Sequence, residues 1–149
     1  MCDVGIESTI VGLEDDKVCV YRLGGIEIEE IEKLVGTVEL KINSSSNPAA
    51  SGQLISHYSP LKPLIIGDIA SNLEKSKNAA VILFGNKTVN SNYQFNLSAT
   101  ENLKEAAANL FTALRQLDES DADVILCELL PETGLGRAIN DRLKRASVK

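Results

Sequence analysis

The sequence predicts an α/β protein. An open, mostly parallel sheet with helices on both faces is expected from about residue 60 to 149, preceded by a β-hairpin and short helix left over from another α/β unit. Three observations lead there. Strand-like and helix-like segments alternate through the second part, the pattern of parallel strands joined by crossover helices. Residues 79–84, AAVILF, are apolar throughout, as in a strand buried on both faces. The acid excess is confined to the front: residues 1–60 carry ten acids and four bases, residues 61–149 eleven of each. That split marks two units of different make-up.

Taken in order, Ile6-Glu7-Ser8-Thr9-Ile10-Val11 is rich in β-branched residues and reads as a strand. Glu14-Asp15-Asp16-Lys17 reads as a turn, and Val18-Cys19-Val20-Tyr21-Arg22 as the returning strand. If this four-residue loop closes symmetrically, Leu13 faces Val18 and Thr9 faces Arg22; a one-residue slip puts Ser8 there instead. Either way, hydroxyls and a guanidinium meet near the open end of the hairpin. Gly24-Gly25 then breaks the strand. Ile28, Ile31, Leu34 and Val35 have helical spacing, and Gly36 suits a C-cap. Val38 to Ile42 alternates and reads as a further strand. Two or three strands and one short helix are too little to stand alone. Residues 1–42 are therefore expected to be the tail of a larger domain, with a hairpin edge open to pairing with another chain.

Residues 43–60 begin Asn43-Ser44-Ser45-Ser46-Asn47-Pro48, small, polar and unpatterned, and read as a linker. Residues 61–149 follow as the second unit. Pro63 to Ile66 is a strand, and Asp68 to Lys75 a helix with Asp68 as N-cap. Tyr93 to Leu97 alternates as a short strand. Ser98-Ala99-Thr100-Glu101 reads as a capping box with Ser98 as N-cap, Thr100 being the alternative. Leu103, Ala106, Ala107, Leu110, Phe111, Leu114 and Leu117 then form one apolar stripe, with Lys104, Glu105, Arg115 and Glu119 mostly opposite. Asp123 to Glu128 is a third apolar strand. Gly134-Leu135-Gly136 opens a last helix whose Ile139, Leu143 and Ala146 face inward. The alternation is Rossmann-like and leaves the strand order open.

Composition narrows the function classes. The 149 residues, 44% hydrophobic and 24% charged, are ordinary for a soluble globular chain. A net charge of −6 argues against a direct nucleic-acid surface, which needs a basic footprint. The longest apolar run is six residues, far from the roughly 20 that cross a bilayer. The start of the chain lacks the basic-then-apolar pattern of a signal peptide, so a cytoplasmic protein with no membrane partner is expected. Cys2, Cys19, Cys127 and the single His57 offer neither a disulfide framework nor metal-ligand spacing, and no metal site is predicted.

Individual motifs are modest when taken singly. Gly134-Leu135-Gly136 falls between a strand and a helix, but Ile139 stands where a dinucleotide fingerprint has its third glycine. A turn and helix start is the better reading. Arg22 at a strand end could fork onto a phosphate or carboxylate; a solvated edge arginine is the blander reading. Ser8 and Thr9 are common strand residues. His57-Tyr58, beside Pro60, could stack on a base or anchor the linker. Cys127, at the end of an apolar strand, reads as inert core.

Together, three stretches carry a resemblance. Gly5-Ile6-Glu7-Ser8-Thr9-Ile10-Val11 with Val20-Tyr21-Arg22-Leu23-Gly24 resembles the closing segment of a YrdC-type domain. Ser51-Gly52-Gln53-Leu54-Ile55-Ser56-His57-Tyr58-Ser59-Pro60 is similar to the linker signature of the longer, two-domain threonylcarbamoyl-AMP synthases. Residues 109–118 and 134–143 resemble the C-terminal α/β domain of that family. The stretches occur in family order over nearly the whole chain.

The resemblance implies condensation of L-threonine, bicarbonate and ATP into threonylcarbamoyl-AMP with release of pyrophosphate, for threonylcarbamoyladenosine modification of tRNA. It implies that Ser8 and Thr9 contact threonine, that Arg22 and Tyr58 contact the nucleotide, and that the C-terminal domain covers or regulates the site. ATP and Mg2+ serve the full-length family; none is expected bound to this piece, and no catalytic residue is assigned within it. Gly12 and Leu23 depart from the family pattern, which usually has Asp and often Pro there. The larger departure is absence: the basic, nucleotide-gripping front of the catalytic domain is not in these 149 residues. The expected partner is that missing N-terminal portion or its equivalent, and the chain is expected to have no synthase activity by itself. On this view residues 1–60 are acidic because their basic complement is missing. The competing reading is a non-catalytic Rossmann-like regulatory or interaction module that binds a nucleotide or a protein partner.

Overall fold

The structure, a computed structural model, describes residues 5–42 and 59–148. Strands β1 (Ile10–Glu14) and β2 (Lys17–Arg22) form an antiparallel hairpin. Helix α1 (Ile28–Val35) follows, capped at its C-terminus by Gly36 at φ 79°, and strand β3 (Glu39–Leu40) returns parallel to β2. Strand β4 (Leu64–Ile66), helix α2 (Ile69–Lys75), strands β5 (Ala79–Leu83) and β6 (Tyr93–Asn96), helix α3 (Leu103–Asp118), strand β7 (Val124–Cys127) and helix α4 (Leu135–Ala146) complete the order.

Two sheets result. One is three-stranded, in order β1-β2-β3; the other is four-stranded, in order β4-β7-β5-β6, with every pair parallel. Side chains alternate across a strand, and here both faces are covered. Ala80 and Ile82 of β5 and Ile125 and Cys127 of β7 join the core built by α3 and α4. Val81 and Leu83 pack instead with Ile69, and Val124 and Leu126 with Leu73, both on α2. The predicted open parallel sheet with helices on both faces is thus the observed one. Burial on both faces is why residues 79–83 are apolar at every position.

The first sheet does not extend the second. It joins the same core through α3 and α4: Ile6, Val20, Leu23 and Ile28 cluster with Leu110, Leu114, Ile139 and Leu143. A methyl group on Gly5 would lie 2.2 Å from the Ala108 Cα on α3, so this approach requires glycine, which also sits at φ 71°.

Two local expectations are corrected. The hairpin turn has two residues rather than four, Asp15 and Asp16, both at positive φ (48° and 61°), the conformation that matches the twist of the flanking strands. Helix α3 starts later than a Ser98 or Thr100 cap would allow. Its N-cap is Asn102, whose side chain accepts from the Lys104 and Glu105 amides at 2.9 and 3.0 Å. Ser98 acts one step earlier: its hydroxyl accepts from the Asn102 N–H at 3.0 Å and donates to the Glu105 carboxylate. Asp68 caps α2 as predicted, accepting from the Ser71 amide at 2.8 Å.

Candidate functional site

The open end of the hairpin is built by register. Leu13 pairs with Val18 as the sequence predicts, and the alignment continues to Val11 and Val20. It then shifts, so that Ile10 rather than Thr9 pairs with Arg22. The irregularity adds one residue on β2, and the symmetric closure expected for Thr9 fails there. Serine and arginine still meet. Arg22 donates from Nε to the Ser8 carbonyl at 3.0 Å and from Nη2 to Ser8 Oγ at 2.9 Å. A planar fork suits this two-point contact. Ser8 is exposed and Arg22 half-buried, so both face the surface beside the hairpin. Accepting from Arg22 leaves the Ser8 hydroxyl its own hydrogen to donate.

Thr9 takes a different place. Its hydroxyl donates to the Ile26 carbonyl at 2.9 Å and accepts from the Ile26 N–H at 3.0 Å, which fastens β1 to the turn before α1. The Gly25 amide adds a bond to the Glu7 carbonyl at 2.9 Å. Such close contact requires Gly24, where a Cβ would lie 2.3 Å from the Glu7 oxygen and 2.4 Å from the Thr9 nitrogen. Tyr58, with His57 and Cys2, lies outside the described residues.

Three residues behind this segment carry no signal in the hairpin sequence. Arg142 of α4 is wholly buried, and its Nε and Nη2 donate to one oxygen of Glu7 at 3.0 and 2.8 Å. The same Nη2 donates to the Leu23 carbonyl at 2.9 Å. Nη1 meets the Asp141 carboxylate, which also accepts from Arg145 Nε at 2.9 Å. A faint sign did exist: Arg142 falls three residues after Ile139 and four before Ala146, a charged residue on an apolar stripe.

The start of α4 is similarly engaged. Gly134 is at φ 49°, and its N–H donates to Glu29 at 3.2 Å, while Arg137 pairs with the same carboxylate. A carboxylate of α1 therefore stands where an anion would sit on a helix N-terminus, so Gly134-Leu135-Gly136 is a turn and helix start. Burial works to raise the Glu29 pKa, but its own backbone N–H, Arg137 and the Gly134 N–H outweigh that and hold it below the usual range. Burial pushes the Cys127 thiol up to about 12, which makes it an inert core residue. Among the described residues no cluster of three or more His, Cys, Asp or Glu could hold a metal ion, and no helix is long and apolar enough to cross a membrane.

A doubly covered parallel sheet, joined through an arginine-rich helix to a hairpin beside which Ser8 and Arg22 meet, defines a two-part α/β chain. Comparison with known proteins is consistent with that form. The family model for the threonylcarbamoyl-AMP synthase C-terminal domain matches residues 26–148. The chain belongs to this family and corresponds to the C-terminal part of a threonylcarbamoyl-AMP synthase. It is 34% identical to the threonylcarbamoyl-AMP synthase of Pyrococcus abyssi and 30% identical to that of Bacillus subtilis, in each case over 97% of this chain and 46% of the relative. It therefore spans about half the length of the curated relatives it matches. A crystal structure of P. abyssi Sua5 with L-threonine superposes with a TM-score of 0.84 at 30% identity, again over 97% of this chain and 46% of that one. A His-and-Tyr to Ala double variant of the same protein superposes at 0.78 and 29% identity, with the same coverage.

Proposed function

We propose that this chain supplies the C-terminal portion of an L-threonylcarbamoyladenylate synthase, a cytoplasmic nucleotidyltransferase acting in tRNA modification. The net reaction joins L-threonine, bicarbonate and ATP to give threonylcarbamoyl-AMP, pyrophosphate and water. The threonine nitrogen bonds to the bicarbonate carbon, whose C–OH bond breaks with loss of water; a carbamate oxygen then bonds to the α-phosphorus as the α–β phosphoanhydride bond breaks and pyrophosphate leaves. In this reading Ser8 and Thr9 belong to the threonine site: the Ser8 hydroxyl faces the substrate, and Thr9 lies next to it with its own hydroxyl bonded to Ile26. Arg22 faces the nucleotide phosphates, and Tyr58 reaches the nucleotide from the linker. One observation carries the proposal: the Arg22 guanidinium and the Ser8 hydroxyl share a surface site at 2.9 Å in a chain of this family. The threonine complex of the P. abyssi relative supports the substrate class. The adjacent His and Tyr replaced in its variant have one counterpart here, His57-Tyr58.

The described residues do not fit a resident divalent cation. The carboxylate nearest Ser8 in sequence is Glu7, and Arg142 engages it. Magnesium enters only as the companion of the ATP substrate. A polyphosphate needs several cations and donors, and the described part of the site offers Arg22. The chain by itself is accordingly proposed to be inactive, with residues 61–149 covering or regulating a site completed by an N-terminal catalytic portion. Pyrophosphate release tests this. The isolated chain should show none, a fusion behind the N-terminal half of the P. abyssi relative should show threonine-dependent turnover, and Arg22→Ala should abolish it. Turnover by the isolated chain, or a fusion insensitive to Arg22→Ala, would overturn the proposal.

A further inference from the structure

We infer that Arg142 is a positioning residue that sets the Ser8–Arg22 geometry from the opposite side of the chain; this rests on the synthase reading above. Glu7 immediately precedes Ser8, and Leu23 immediately follows Arg22. One buried guanidinium holds both neighbours: the Glu7 carboxylate at 2.8 and 3.0 Å and the Leu23 carbonyl at 2.9 Å. The two chain segments whose side chains meet at the surface are therefore tied to a single rigid group behind them. That group is oriented in turn, because Asp141 Oδ2 accepts from Arg142 Nη1 and also from Arg145 Nε.

Stability alone gives little reason for such a group. A buried ion pair is a weak stabiliser relative to apolar packing of equal volume, whereas its geometry is specific. Arginine is required because three separate acceptors must be met in one plane, which a lysine point charge does not do. The arrangement also gives α4 a direct mechanical link to the substrate segment. A shift of α4 moves Glu7 and Leu23 together, and with them Ser8 and Arg22. A cover domain could regulate the site through this link without touching substrate.

The test uses Arg142→Met, Arg142→Lys and the milder Glu7→Gln. In the 149-residue chain, amide exchange is read at Gly25, bonded to the Glu7 carbonyl, and at Ile26, bonded to Thr9. Arg142→Met is expected to lower protection there by about tenfold while the Leu97 and Ala106 amides of the larger core keep theirs. In the fusion described above, Arg142→Met and Glu7→Gln should raise the KM for L-threonine by about tenfold with kcat little changed, and Arg142→Lys should recover part of the loss. Equal loss of protection throughout the chain, unchanged protection at Gly25 and Ile26, or an unchanged KM in an active fusion would each overturn the assignment. If Arg142→Met does not fold, Glu7→Gln decides by the same two readouts. A parent fusion without turnover counts against the synthase reading alone, and the exchange measurement then decides on Arg142.

Discussion

Gly24→Ala tests the construction of the site most directly. Gly24 is buried, and a methyl group there would lie 2.3 Å from the Glu7 oxygen and 2.4 Å from both the Ser8 carbonyl carbon and the Thr9 nitrogen. All three are backbone atoms, so no rotamer relieves the clash, and residues 7–9 must move by about 1 Å to restore ordinary contact. Movement breaks the Gly25–Glu7 bond at 2.9 Å and weakens the two Thr9–Ile26 bonds at 2.9 and 3.0 Å. Each is worth about 1 kcal/mol net, and overpacking adds about 1 kcal/mol or more. With one bond recovered by relaxation, the loss is about 3 kcal/mol. At this chain length that lowers Tm by about 9 °C. Gly36→Ala is the control. No atom lies within 4 Å of its added methyl, so only the backbone at φ 79° and ψ −163°, a region essentially confined to glycine, penalises it, by about 1–3 kcal/mol, and the Ser8 contact is left untouched. Calorimetry measures both, and the Arg22 Nε–H resonance reports the Ser8 contact, which should be lost in Gly24→Ala alone. A Gly24→Ala variant as stable as the parent chain, or one that keeps that resonance in place, would refute the reasoning.

Other consequences concern the larger core and its fastenings. Leu110→Ala, at a wholly buried position of α3, should cost about 2–5 kcal/mol by urea denaturation with little change in m-value. Asn102→Ala removes the α3 N-cap and should cost about 1 kcal/mol, whereas Thr100→Ala should cost less. The Cys127 thiol, raised to about 12, should resist thiol reagents at pH 8 until the chain is unfolded. The Glu29 carboxyl is lowered in the folded state, so its contribution is present above the unfolded carboxylate pKa and is lost as pH falls through the folded value. A Tm series from pH 6 to pH 3 should therefore fall less steeply in Glu29→Gln.

Much of this was legible from the sequence because each element signals locally. The α3 stripe names Ala106, Ala107, Leu110, Leu114 and Leu117, all buried, and the continuous apolar run announces a strand covered twice. The Leu13–Val18 register followed from counting around a turn. What failed depended on single backbone choices. The irregularity on β2 moves Arg22 opposite Ile10, and the left-handed Glu101, at φ 60°, delays α3 until Asn102 can cap it. Neither leaves a mark in hydrophobic periodicity. The Arg142 clamp was out of reach for another reason: residues 135 positions apart in sequence meet only through the tertiary fold.

That clamp also revises the meaning of the charge split. Acids in the first unit, unmatched there, suggested that their counter-charges lie in an absent segment. Part of the complement is instead at the far end of this chain. Arg142 neutralises Glu7, Arg137 neutralises Glu29, and both belong to α4. The even balance of residues 61–149 hides this, because cations concentrated on one helix are averaged against acids elsewhere. Electrostatic complementarity between the units fixes register more than it adds affinity. Its placement says what is being registered: one arginine is directed at the residue before Ser8, the other at the helix that follows the Thr9–Ile26 fastening. The basic helix α4 is therefore the element that ties the larger α/β unit to Glu7 and Leu23, the neighbours of Ser8 and Arg22.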